Sequence, residues 1–338
     1  MEATYTLSII IPFYNAEKKS SKILKRLANL SSPDIEAIYI NDGSTDNTKE
    51  LLKTYERKNK INTSVITQQN KGPGGARNTG LRAARGKYVW FVDADDDINP
   101  EAIDFLRSIA HKNYDLIDYN ENNDRNILRH FPIEEGEYSG ERAKQIIFQY
   151  MDVNVNKHIK RSFLIENDLF YPEYCFYEDI AMYIQFPFYI RSFYKSDITA
   201  YNVYTYNDGV SRSPLNDKLY DRLFTMKWAL ERVWNKAENE EERNIIIKKF
   251  TRGFLINTLK SGRIPNELWV MDLRVMAFYK KIYNDYNMGI DPFSFWKFSK
   301  LQTAKLRLLW NLAGLLPDQT EYFRKIRQRA WGRIELHD

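Results

Sequence analysis

Over the first 120 residues, short continuous apolar runs alternate with amphipathic stretches. "LSIIIPF" (7–13) reads as a buried strand closed by Pro12, and "IEAIYIND" (35–42), "INTSVITQ" (61–68), "KYVWFVD" (87–93) and "YDLIDYN" (114–120) read as four more. Between them, "NAEKKSSKILKRLANL" places Ile23, Leu24, Leu27 and Leu30 on one helical face. "STDNTKELLKTYERKN" predicts a helix with Asp46 as N-cap, and "GARNTGLRAARG" a short one between glycines. "NPEAIDFLRSIAHK" predicts a helix capped by Asn99 with Pro100 at its first position. Strands that alternate with helices predict a doubly wound, mostly parallel α/β sheet.

The order loosens after residue 120. "FPIEEGEYSG" reads as loop, "ERAKQIIFQY" as helix, and "NVNKHIKRSFL" and "SDITAYNVYTYN" as strand or strand-edge material. From about residue 216 four stretches are helical: "DKLYDRLFTMKWALERVW", "ERNIIIKKFTRGFLINTL", "ELWVMDLRVMAFYKKIY" and "KLQTAKLRLLWNLAGLL". The expected domains are 1–213, with a nucleotide-binding half (1–120) and an acceptor or catalytic half (121–213), and a helical appendage at 214–338.

The 338 residues are 43% apolar, enough for a core, and the net charge of +5 is too small to argue for nucleic acid. One cysteine, Cys175, excludes a disulfide framework within the chain and fits a reducing compartment. The start lacks a basic n-region, so no signal peptide is expected, and no apolar run is long enough to predict a membrane-spanning helix.

Ligands of doubly wound sheets bind at the carboxyl ends of the strands. The loops there are "PFYNAE", "NDGSTD", "NKGPGGARN" and "DADDD", all polar, glycine-rich or acidic. The last crowds Asp93, Asp95, Asp96 and Asp97 into five positions, where like charges raise each other's cost of ionising. A calcium loop would need glycine where Ile98 stands. Acids favouring a helix start account for one or two of the four. A divalent cation shared with a phosphate-bearing ligand accounts for the cluster best. Gly72-x-Gly74 lacks the third glycine of a dinucleotide fingerprint, because Arg77 stands there, and no G-x-x-x-x-G-K-[ST] loop occurs. Glu178 and Asp179 supply a second pair of acids at a helix start, where they either cap the helix or act as a base. His158 and Lys157 are read as structural, and Cys175 as packing.

"SIIIPFYNAE", "INDGSTDNT", "NKGPGGARNTGL" and "FVDADD", in that order and spacing, resemble the family 2 glycosyltransferases: strongly over about 6–110, and more loosely to about 213 through "NKHIKRSFLIENDLFYPEYCFYEDIAM" and "NDGVSRSP". The resemblance implies an inverting enzyme of the GT-A fold that uses a nucleotide-diphospho-sugar. It places Pro12, Tyr14 and Asn15 in the base-binding turn, Asp42 on the uracil or ribose, and Arg77 beside the nucleotide. Asn41 stands where the family often has a second Asp. Asp93 and Asp95 match its DxD pair, with Ala94 between them among the nucleotide-sugar contacts. Asp93 would face ribose or metal, and Asp95 would ligate Mn²⁺ or Mg²⁺. Glu178-Asp179 resembles the family's ED pair, with Asp179 the catalytic base, and Arg212 resembles a basic residue in a loop that closes over the diphosphate. The expected partners are a UDP-sugar donor and a glycan or lipid-linked saccharide acceptor, in hexosyl or N-acetylhexosaminyl transfer for capsule or lipopolysaccharide synthesis. A GDP- or dTDP-sugar donor is the alternative within the class. A non-catalytic sugar-nucleotide-binding or assembly protein is the alternative outside it.

"WKFSKLQTAKLRLLWNLAGLL" carries Lys297, Lys300, Lys305 and Arg307 with no acid, among Trp296, Phe298, Leu301, Leu306, Leu308, Leu309 and Trp310. A basic helix with Trp and Leu on its other face can lie on an anionic membrane or pack in a core or an oligomer interface. The expected location is cytoplasmic, with peripheral contact at the inner membrane face through 296–310.

Overall fold

The computed structural model describes residues 4–123, 128–129, 131–150, 155–204, 220–260, 269–294 and 300–331. Arg212, Trp296, Lys297 and Phe298 lie outside them. The chain forms two compact units, Met1–Pro214 and Leu215–Asp338.

The first unit is built on β1 (Tyr5–Phe13), α1 (Ser21–Asn29), β2 (Ile35–Asp42), α2 (Thr48–Lys58), β3 (Asn62–Gln68), α3 (Gly72–Ala83) and β4 (Gly86–Phe91). These strands pair in parallel in the order β3-β2-β1-β4. They read as unbroken apolar runs because both faces of the sheet are covered. Leu7, Ile9, Ile11 and Phe13 of β1 join Ile23, Leu24 and Leu27 of α1 in one core, whereas Ile10 joins Ala76 and Leu81 of α3 in the other. Pro12 is accommodated because β1 pairs with β4 only as far as Ile10 and with β2 alone beyond it.

The rest of the unit is β5 (Asp97–Ile98), α4 (Glu101–Ile109), β6 (Leu116–Asn123), β7 (Leu128–Arg129), β8 (Gly136–Ser139), α5 (Gly140–Tyr150), β9 (Lys157–Lys160), α6 (Arg161–Glu166), α7 (Glu178–Tyr183) and β10 (Ser192–Val203). The sheet continues β4-β9-β6-β10-β5, with β7 on β6 and β8 on β10. It is mixed: β9 runs antiparallel between β4 and β6, while β10 is parallel to β6. Three expectations are corrected. "FPIEEGEYSG" holds the strand β8, whose backbone pairs with Phe193–Lys195 although its residues are mostly polar. The carboxylate of Asp46 accepts the Thr48 N–H at 3.0 Å, but Asn47 is the residue that flanks α2. Asn99 likewise accepts the Glu101 N–H at 3.1 Å, but Pro100, expected at the first helical position, is the residue that flanks α4.

In the second unit, all described elements are helical: α8 (Asp221–Val233), α9 (Glu240–Lys260), α10 (Trp269–Asp285), α11 (Lys300–Ala313) and α12 (Thr320–Trp331). α12 is not among the four helices the pattern predicts. Its arginine-rich sequence buries only Phe323 and Ile326. Asp221 of α8 is buried and accepts the Trp331 indole N–H at 2.8 Å, which ties the two ends of this unit together. Leu306 and Leu309 of α11 are buried, and Trp310 packs edge-to-face with Tyr279, Tyr283 and Phe293. The apolar face expected to meet a membrane therefore lies in the core of its own unit. Leu308, Leu312 and Leu315 remain exposed.

Candidate active site

The carboxyl ends of β1–β4 converge through polar cross-links. Asn15 sits at φ 48°, a left-handed conformation that Asn tolerates better than most residues. Its N–H bonds Ser44 Oγ at 3.1 Å and its Oδ1 accepts the Thr45 N–H at 2.8 Å, locking the turn after β1 to the loop after β2. Beside it Tyr14 stands 51% exposed. Asn41 accepts the Ser44 N–H at 3.2 Å, so the position that departs from the family pattern shapes this loop. Asp42 is buried, and its Oδ1 accepts Gln68 Nε2 at 2.7 Å and the Lys71 N–H at 2.9 Å. Burial pushes its carboxyl up, against the pull of these donors.

Most of the acidic cluster after β4 is neutralised by the protein itself. Asp97 takes both arms of Arg26 on α1, at 3.0 and 2.8 Å. Asp96 accepts the Tyr201 hydroxyl and the Tyr204 N–H, each at 2.9 Å. Asp93 receives Arg77 at 2.7 Å, and its own N–H bonds Tyr201. Burial, then the charge of Asp93 and, more weakly, that of Asp95, push Asp96 up to about 8. Asp93 and Asp95 are the two acids of the cluster that the family resemblance assigns to a metal. No group of three His, Cys, Asp or Glu side chains able to hold a metal occurs among the described residues. That donor set fits Mg²⁺ or Mn²⁺, which bind through one or two carboxylates and take further oxygens from substrate phosphates and water.

Arg77 links the two pairs of acids. It rises from the second turn of α3, is buried, and gives one nitrogen to Asp93 and the other to Glu178, 101 residues away in the sequence. Tyr171 lies under the guanidinium, 5.5 Å from its ring centre. Burial pushes Glu178 up to about 7, opposed by Arg77 and assisted by the charge of Asp179. Of the two acids, only Asp179 bonds an N–H of the helix start. Tyr177 is the cap residue of α7, and the Glu178 carboxylate turns across to Arg77. Asp179 follows at the second position of α7, half-buried, with its Oδ1 accepting the Ile180 N–H at 2.8 Å.

The segment that carries these acids is clamped to α3. Asn78 donates to the Tyr171 carbonyl and accepts the Tyr171 N–H, both at 2.9 Å, and the Tyr174 N–H bonds the Lys71 carbonyl at 2.6 Å. A Cβ on Gly74 would stand 2.3 Å from the Pro172 carbonyl oxygen, so only glycine admits this approach. Tyr174 and Tyr177 are held at φ 54° and 64°, costly for aromatic residues and concentrated where the acids are aimed. The sequence reading missed Tyr171, Asn78, Tyr201 and Gly74. Only "GPGG" carried a local signal, a glycine where a helix begins.

Pro12 and Asp42 lie at the carboxyl ends of β1 and β2, Tyr14, Asn15, Asp93, Ala94 and Asp95 in the segments after β1 and β4, Arg77 within α3, and Glu178 and Asp179 at the start of α7, all in the first unit. The structural reading of His158 and Lys157 also holds. His158 is buried against Trp90 and Tyr119, and burial pushes its ring down to about 3. Lys157 pairs with Asp118 at 2.6 Å, with both side chains sealed from solvent.

Residues 8–120 match the family described as glycosyl transferase family 2. An uncharacterized glycosyltransferase, YibD of Escherichia coli (strain K12), is 42% identical over 110 residues, 32% of this chain and 32% of YibD. The poly(ribitol-phosphate) beta-N-acetylglucosaminyltransferase TarS of Staphylococcus aureus (strain Mu50) is 30% identical over 171 residues, 49% of this chain and 29% of TarS. The chain spans about a third of the length of these curated relatives. Among solved structures, S. aureus TarS 1–349 in complex with UDP-GlcNAc superposes with a TM-score of 0.67 at 23% identity, covering 83% of this chain and 81% of that one. The sheet with its flanking helices is the GT-A fold, and residues 8–120 are similar to glycosyl transferase family 2.

Proposed function

We propose that the protein is an inverting glycosyltransferase that moves a sugar from a UDP-sugar to a hydroxyl of a glycan or lipid-linked acceptor. The observation that carries this reading is Arg77, whose buried guanidinium joins Asp93 after β4 to Glu178 at the start of α7. The solved complex of TarS with UDP-GlcNAc supports a UDP-sugar as donor. Tyr14, Asn15 and Asp42 receive the nucleotide. Asp93 and Asp95 would hold a divalent cation, which would supply positive charge against the departing diphosphate. Asp179 takes the proton of the acceptor hydroxyl. That oxygen bonds to the anomeric carbon while the bond from this carbon to the diphosphate breaks, and UDP leaves with the bonding pair. One displacement inverts the centre. Glu178, held by Arg77, positions the start of α7 so that Asp179 faces the acceptor. In an Asp179→Asn variant, release of UDP from UDP-GlcNAc with acceptor present falls on the order of 10²-fold or more, while UDP still raises the melting temperature. Turnover at the wild-type rate would overturn the assignment.

The reading includes peripheral membrane contact, narrowed to the exposed Leu308, Leu312 and Leu315 with the basic residues around them. Co-sedimentation with anionic vesicles should weaken as salt rises and in a Leu308→Glu/Leu312→Glu variant. Absence of vesicle binding at low salt would remove this part of the proposal.

A further inference from the structure

The helical unit holds a cavity of about 760 Å³, within the range of small-ligand sites. It lies where α10 and α11 meet the link that joins them. One wall is aromatic: Trp310, half-buried, with Tyr283 and Phe293 set edge-on to it. The rim is planar and polar, with the amides of Asn287 and Asn311 and the ion pair of Arg307 with Asp291 at 3.3 Å.

The described part of the link, 286–294, is pinned by hydrogen bonds. Asn287 and Gly289 take left-handed conformations, φ 47° and 65°. The Met288 N–H bonds the Tyr283 carbonyl at 3.1 Å, the Phe293 N–H bonds Asp291 Oδ1 at 3.0 Å, and the Ser294 hydroxyl bonds the Asp291 carbonyl at 2.7 Å. The cavity therefore has its shape before any ligand arrives, and binding does not first have to order the loop.

The lining selects a ligand class. An anion wants an uncommitted cation, and Arg307 already shares its charge with Asp291. A purely apolar ligand would leave the amide rim without partners. A pyranose satisfies both surfaces. Its C–H face packs on aromatic carbon, and its vicinal hydroxyls donate and accept together, as amide, carboxylate and guanidinium groups require. We infer that this cavity is a saccharide-binding site of the helical unit, separate from the donor site in the first unit. Its occupant as a stretch of the acceptor glycan rests on the transferase reading above; binding of a saccharide does not.

The test titrates the full-length protein with N-acetylglucosamine, glucose and their β-linked disaccharides, using saturation-transfer NMR and calorimetry. Binding to the wild type is expected, together with at least about a tenfold loss of affinity in Asn287→Gly/Asn311→Ala, glycine keeping the left-handed backbone at 287. Both side chains are exposed, so the fold should survive; an unchanged melting temperature checks this, and Trp310→Phe keeps an aromatic wall as a second variant. The UDP-induced melting shift should be the same in both variants, which separates this site from the donor site. If no saccharide of the panel binds the wild type, or binding is unchanged in both variants, the inference falls. Saccharide binding without any UDP-sugar turnover would leave the site standing and remove the transferase reading instead.

Discussion

Two buried cations of the first unit meet acids in opposite ways. Lys157 at the start of β9 pairs with Asp118 of β6, with side chains 1% and 0% exposed, beneath the ring of Phe131. Arg77 on α3 is equally enclosed, but one of its two acids, Asp93, is 37% exposed. The first pair is closed at every side. It satisfies a register in which Asp118 lies between Lys157 and Lys195 on neighbouring strands. The second is closed at the Glu178 end and open at the Asp93 end, so an arriving ligand can change its electrostatic balance. Burial of charge alone does not mark a reactive site; an outlet for that charge does.

The largest effects should come from breaking the two networks in parallel. Lys157→Met leaves Asp118 charged and sealed, and should cost about 3–5 kcal/mol by urea unfolding, most of it recovered in Lys157→Met/Asp118→Leu with transfer intact. Arg77→Met/Glu178→Leu should recover stability in the same manner yet lose transfer on the order of 10²-fold. Equal losses of transfer from the two double variants would erase the distinction drawn between them. The open end can be probed by removing metal. UDP at about 100 times its Kd adds about 2.7 kcal/mol of stability. That gain should shrink in EDTA, and Asp95→Ala should give the EDTA result even with Mn²⁺ present. A UDP-induced melting shift that ignores EDTA would take the cation out of the open end.

The smallest effect belongs to the sealed side. His158 is neutral when folded because burial holds it near 3, whereas in the unfolded chain it titrates near 6.5. Below 6.5 the unfolded state binds the extra proton. The stability this group provides is therefore complete above 6.5 and is lost as pH falls toward 3. Between pH 6.5 and 5 the loss is about 2 kcal/mol, and His158→Gln should remove that part of the slope. Urea midpoints at both pH values compare the two proteins, and equal slopes would show that the ring does not set the pH dependence.

The parallel half of the sheet was legible because its strands are covered on both faces. Continuous runs such as "SIIIPF" and "EAIYI" cannot be mistaken for loop. β8, with the sequence GEYS, was not, since its four residues bury none fully and Tyr138, stacked on Phe193, is its one apolar contribution. The antiparallel place of β9 was equally hidden, because four residues state no direction. In the site, Asp93, Glu178 and Asp179 were named from their motifs. The bond from Arg77 to Glu178 was not, because it joins segments 101 residues apart that share no local pattern.

The position of β9 bears on how the chain must be made. The stretch that carries the family signature ends at residue 120, before the strand that covers the open edge of β4 exists. On a ribosome adding roughly 5–20 residues per second, the edge of Gly86–Phe91 waits several seconds until Lys157–Lys160 emerges. An apolar edge exposed for that time is a template for pairing with other nascent chains. A fragment cut after residue 120 would keep the four motifs from "SIIIPFYNAE" to "FVDADD", yet be prone to aggregate and lack Glu178, the second carboxylate that Arg77 meets.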